Sequence, residues 1–143
     1  YVVDNNNNTP DVPRAVWRFD VTPAGTVVPG TRQKIHDFGR GRGGDGMALD
    51  VAGRLYVAAG RTIANPPHET TEVAGGVYVF TPTGKQVGFV PIPEDEVTNC
   101  TFGGPDLKTL FITAGHTLWS IRVNTAGFVP WLNRAADASP PGN

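Results

Sequence analysis

Gly43–Ala59, GGDGMALDVAGRLYVAA, decides the fold. It holds two short apolar runs, Met47–Asp50 and Leu55–Ala58, separated by Val51-Ala52-Gly53-Arg54. Runs this short, joined through a glycine placed for a tight turn, read as a β-hairpin. Asp45 stands just ahead of the first strand, between Gly44 and Gly46. Small neighbours leave its carboxylate uncovered and let the backbone turn sharply beside it. An acid held in this way suits a metal ligand or a general base. Asp-Gly is equally a common turn, so the pair alone does not choose between chemistry and geometry.

Working outward, the same pattern continues on both sides. Tyr1–Asp4 begins inside a strand-like run, and Asn5–Arg14, NNNNTPDVPR, is a polar loop. Ala15–Val21 alternates, with Val16, Arg18 and Asp20 on one side and Trp17, Phe19 and Val21 on the other. Thr22-Pro23-Ala24-Gly25 turns the chain, and Thr26–Phe38 reads as a strand broken at Pro29-Gly30. Downstream, Arg61–Gly75 is too long for a hairpin turn. Strands are predicted over Gly76–Thr81, Gln86–Ile92, Val97–Phe102, Leu110–Thr113, Leu118–Asn124 and Phe128–Leu132. Pro91 and Pro93 suit a sheet edge, and Glu94-Asp95-Glu96 is an acidic turn. The polar, Pro-rich segment 133–143 is predicted to be a disordered tail.

A repeat emerges from this order, with Tyr1, Tyr56 and Phe111 in equivalent places at equal intervals. The unit is four short strands with loops of varying length at one end. That is how a β-propeller blade reads, more than a β-sandwich. The expected fold is therefore all-β, a partial six-bladed β-propeller with about two full four-stranded blades and the outer part of a third. Residues 1–39 would supply outer strands of a first blade, 40–95 a complete blade, and 96–132 the last one. The sequence opens at Tyr1 with no Met and no signal peptide and is expected to be processed, trimmed or partial; since a propeller needs about four to eight blades, the chain is not expected to close a ring alone. Either a missing N-terminal half or another copy of the chain would have to cover its exposed blade edges.

Composition narrows the function. Twelve basic and 13 acidic residues leave a net charge of −1, which gives no electrostatic case for nucleic acid or an anionic membrane. No apolar run approaches the roughly 20 residues of a membrane helix. Cys100, the only cysteine, allows neither an intrachain disulfide nor a thiolate cluster. The compartment stays open between cytoplasmic and periplasmic or secreted. Gly39–Gly44 satisfies G-x-G-x-x-G, but a strand pattern follows where a dinucleotide fold needs a helix. No serine sits in G-x-S-x-G. The blade geometry instead gathers Asn5–Arg14, Arg40–Asp45, Arg61–Gly75, Val97–Asn99 and Gly115-His116 at one end, where sites on rigid scaffolds usually lie.

Three further stretches carry a resemblance. Asp45-Gly46-Met47 with Gly53-Arg54-Leu55-Tyr56-Val57-Ala58, then Thr98-Asn99-Cys100-Thr101-Phe102-Gly103-Gly104, then Lys108-Thr109-Leu110, resemble the C-terminal half of the gluconolactonase and senescence-marker-protein (regucalcin) family. The resemblance implies a six-bladed propeller and a lactone-type hydrolase with one divalent metal in the central channel. Calcium is the first choice, with zinc, magnesium or manganese as alternatives. It assigns metal binding and the general-base role to Asp45. The family's other protein ligands, a glutamate near the propeller's start and an asparagine ahead of the strand matching Tyr1–Asp4, have no counterpart here. Its substrate would be a lactone or sugar acid.

Other candidates are weighed against structural roles. Asn99 would meet substrate hydroxyls or cap its loop. Arg40 and Arg42 would orient a sugar-acid carboxylate or stand in solvent. His68, Glu69 and Glu72 would wall the site or be plain surface residues. His36 and His116 lack metal-ligand spacing and are expected to be structural. The alternative function is a non-catalytic propeller module that binds a ligand or protein, and a strictosidine-synthase-like propeller would share the fold without the site.

Overall fold

The computed structural model describes residues 1–6, 8–9, 12–130 of the chain. The predicted tail, Asn7 of the polar loop and the end of the run 128–132 lie outside the described residues. Three antiparallel sheets follow one another. The first holds β1 (Val2–Val3), β2 (Ala15–Arg18) and β3 (Gln33–Asp37). The second is four-stranded, with β4 (Gly44–Leu49), β5 (Leu55–Ala59), β6 (Gly76–Phe80) and β7 (Gln86–Pro91). The third holds β8 (Val97–Gly103), β9 (Thr109–Ala114) and β10 (Thr117–Arg122). Within each sheet the spatial order equals the chain order. β4 packs beside β8 and meets β1 on its other side. The all-β expectation holds.

The burial of β5 explains its unbroken apolar run. Leu55, Val57 and Ala59 join Val16, Phe38 and Phe80 in a core between the first two sheets. Tyr56 and Ala58 turn the other way and join Cys100, Phe102, Leu110 and Ile112 between the second and third. A strand covered on both faces has no reason to alternate with polar residues. The hairpin turn after β4 is built by Asp50, whose buried carboxylate oxygen Oδ1 accepts the amides of Ala52 and Arg54, both at 2.9 Å. Gly53 takes a φ of 77° there, in the left-handed region that a side chain disfavours. The other oxygen of Asp50 accepts from Arg54 Nε at 2.6 Å.

Three strand readings change. The strand expected over Thr26–Phe38 is confined to Gln33–Asp37, and Val27 makes only an isolated bridge to Val21. The alternation predicted over Ala15–Val21 breaks at a register shift between Val16 and Trp17, and the strand ends at Arg18. The last strand was expected over Phe128–Leu132, but Phe128 does not extend the third sheet. Its amide donates to Leu49 O at 2.8 Å, and Gly127 bridges Asp50, so this segment docks on β4. The apolar Phe-Val pair suggested a strand; the backbone donors are taken by the neighbouring blade instead.

Candidate active site at the loop end

Arg14 ties the long loops together. It is almost fully buried, and its guanidinium donates to the carbonyls of Asn6 at 3.0 Å, Arg40 at 2.7 Å and Gly41 at 2.9 Å, and to that of His68. Thr70 N–H returns a bond to Arg40 O at 3.1 Å, and Gly41 bridges Thr70 in parallel. The approach at Gly41 is close, since a Cβ there would stand 2.3 Å from Val73 Cγ2. The loop 61–75 is thus held down over the segment leading into β4.

Asp45 enters β4 under this cover. Its side chain is 38% exposed, and its Oδ2 accepts from Arg42 Nη2 at 2.7 Å. Arg42 also faces Glu69 Oε1 at 3.4 Å, and the Glu69 side chain is 0% exposed. The second Glu69 oxygen accepts from Arg61 Nη1. Arg61 Nη2 then reaches Asp95 and Glu96 in the turn before β8, each at 3.1 Å. Asp95 is itself a loop clamp, accepting the amides of Thr62 at 2.7 Å and Ile63 at 3.1 Å. Burial pushes its carboxyl upward, but those amides and Arg61 outweigh it and leave the pKa below the ordinary value.

Asn99, on β8, packs against Gly46. Its Oδ1 accepts Cys100 N–H at 2.8 Å and presses against Gly46, where a Cβ would meet it at 2.1 Å. Only glycine at 46 lets the two strands come this close. A groove of about 350 Å³ runs along β8 past Asn99, walled by Met47, Thr101, Phe111 and Leu118.

The structure therefore brings Asp45, Asn99, Arg42 and the backbone of His68 to one end, as the loop grouping predicts. Arg40 is exposed, and its carbonyl serves the loop staple. The His68 ring is half-buried, with Nδ1 lacking a hydrogen-bond partner among the described residues. Two surface expectations are corrected. Glu69 is buried because two arginines neutralise it, and Arg42 is buried because two carboxylates do the same. Glu72 and His116 are exposed. His36 sits between Phe38 and Phe80, with ring centroids 4.5 Å away in each case. The Cys100 thiol is pushed up to about 12 by burial, which rules out a resting thiolate nucleophile. Arg14 and Arg61 were not singled out from sequence, because isolated arginines in irregular loops carry no periodicity.

Meandering antiparallel sheets arranged side by side, with long loops at one end, define a β-propeller. The family model described as "SMP-30/Gluconolactonase/LRE-like region" matches residues 6–116, and the chain belongs to this family. It is 28% identical over 133 residues to a gluconolactonase of Zymomonas mobilis, covering 89% of this chain and 32% of that protein. It is 33% identical over 112 residues to a 6-deoxy-6-sulfogluconolactonase of Pseudomonas putida, covering 76% and 33%. Regucalcin of Xenopus laevis is 37% identical over 73 residues, covering 49% and 20%. The chain thus spans a third or less of the length of these curated relatives. An X-ray structure assigned as a gluconolactonase superposes with a TM-score of 0.61 at 29% identity, covering 80% of this chain and 33% of that one. A luciferin-regenerating enzyme shares the fold, with a TM-score of 0.66 at 21% identity over 90% of this chain and 42% of that one.

Proposed function

We propose that the chain is the C-terminal portion of a metal-dependent, lactonase-type hydrolase that opens sugar lactones, with Asp45 as ligand and general base. The observation that carries the reading is Asp45 itself. Arg42 fixes one carboxylate oxygen, the side chain keeps access to solvent, and Asn99 packs against the next residue, Gly46. The gluconolactonases among its relatives supply the substrate class.

The donor chemistry fits a hard divalent cation, since Asp45 offers a carboxylate oxygen and such ions take oxygen ligands. Among the described residues no group of three His, Cys, Asp or Glu could hold a metal. The reading therefore draws the remaining donors from the rest of the protein, along with the blades that cover exposed apolar side chains such as Leu118, at 70% exposure. A bound cation supplies Lewis acidity toward the lactone carbonyl. Asp45 accepts the proton of the attacking water as the water oxygen bonds to the carbonyl carbon. The acyl–oxygen bond of the ring then breaks, the ring oxygen takes up a proton as a hydroxyl, and the product is a sugar acid. Asn99 is the candidate to meet substrate hydroxyls. Arg40 and His68 are the further candidates to contact a substrate's acidic end, and Arg42 bridges Asp45 and Glu69.

The test uses the full-length protein and a panel of sugar lactones, followed by proton release. The reading expects ring opening that a chelator abolishes and a divalent cation restores. Turnover indifferent to chelator would remove the metal. A folded protein with no turnover on any lactone would favour the binding module.

A further inference from the structure

We propose that Glu69 is a positioning residue for Asp45 and acts through Arg42, an inference that rests on the hydrolase reading above. A lone guanidinium on a loop would swing and carry its partner's carboxylate with it. Here Arg42 is fixed from two sides. Its Nη2 lies 2.7 Å from Asp45 Oδ2, and its Nη1 lies 3.4 Å from Glu69 Oε1. The longer contact acts through charge more than through a directed hydrogen bond. It is effective because the Glu69 side chain has no solvent exposure and the Arg42 side chain has only 9%. Coulomb attraction is weakly screened in such a place.

Glu69 is anchored in turn. Its second oxygen is held by Arg61, which Asp95 and Glu96 fix from the next sheet. Its backbone is fixed by bonds exchanged with Asn65, both at 2.9 Å. The chain of charges therefore links the start of β4 to the turn before β8, with Asp45 as one exposed end and Glu96 as the other. Without the carboxylate at 69, Asp45 is the only side-chain acceptor left to Arg42 among the described residues, and the far side of its guanidinium loses its anchor there. The Asp45 oxygens then lose their defined place at the start of β4. Misplacing a reacting group by about 1 Å costs on the order of 100-fold in rate.

The experiment is a kinetic cycle in the full-length protein on gluconolactone, with wild type, Glu69→Gln, Arg42→Gln and the double variant. Glu69→Gln is expected to lower kcat by about 10- to 100-fold, with KM unchanged within about threefold. The double variant should be no slower than Arg42→Gln alone, because Glu69 has no route to Asp45 except Arg42. Asp50→Asn, in the turn at the other end of the same hairpin, is the control: it should lower Tm and leave kcat unchanged. Glu69→Asp keeps the charge and withdraws it by one methylene, and it carries the test if the glutamine variant does not fold. Full kcat in Glu69→Gln, or an equal loss with and without Arg42, overturns the proposal. Asp45→Asn separates the two failures. Wild-type turnover there removes the hydrolase reading, whereas loss there with an unaffected Glu69→Gln removes only the positioning role. Crystal structures of wild type and Glu69→Gln decide without turnover: Asp45 should move by more than about 0.5 Å, and an unmoved carboxylate contradicts the inference.

Discussion

Gly46→Ala tests the packing of the start of β4 against Asn99. A Cβ at position 46 would stand 2.1 Å from Asn99 Oδ1, 2.4 Å from its Cγ and 2.9 Å from its Cα. The first two atoms belong to a side chain that can rotate away, at the cost of its bond to Cys100 N–H. The third is backbone of β8, and it moves only if the strand moves. Overpacking of this kind costs about 1–3 kcal/mol. Alanine also restricts the unfolded chain, which returns about 0.4–1 kcal/mol. The expected net loss is about 1–2 kcal/mol, read from urea unfolding of the full-length protein. In an Asn99→Ala background the two shortest contacts disappear, and the cost of Gly46→Ala should fall by about half or more. A neutral or stabilising Gly46→Ala, or an equal cost in both backgrounds, would refute the reasoning.

Asp50→Ala strips two backbone amides and Arg54 of a buried acceptor, and should cost about 2–3 kcal/mol in urea unfolding; a loss within about 0.5 kcal/mol would mean that the turn holds without it. Burial between the rings lowers the pKa of His36, with Asp37 pulling the other way. The fold thus favours the neutral imidazole, and the stability this contributes is present above the unfolded value of 6.5 and is lost as pH falls through the folded one. His36→Phe should flatten that decline in urea midpoints compared at pH about 7.5 and about 5, and an unchanged slope would exclude His36 as its source.

The fold was legible because its signals are local. The paired apolar runs around Gly53 became β4 and β5, and the run Leu55–Ala59 is continuous because both faces of β5 are covered. The approach of the β4 start to Asn99 could be read from the repeat, which puts the start of each inner strand at one end. Phe128 was misplaced because an apolar pair says nothing about which strand takes its amide; Gly127 packs against Phe102 and steers the segment to β4. Glu69 and Arg14 were illegible for a different reason. Acids and arginines in loops are ordinarily solvated, and their burial here follows from partners far away in sequence. Arg42, Arg61 and Glu69 are each buried only in company, and no spacing announces that company.

Asp45→Asn in the full-length protein tests the central claim most directly. The variant keeps the shape of the side chain and removes its charge, so folding measured by thermal melting should persist. Lactone ring opening, followed by proton release with saturating divalent cation, is expected to fall by about 100-fold or more. Turnover within a few-fold of wild type would contradict the account.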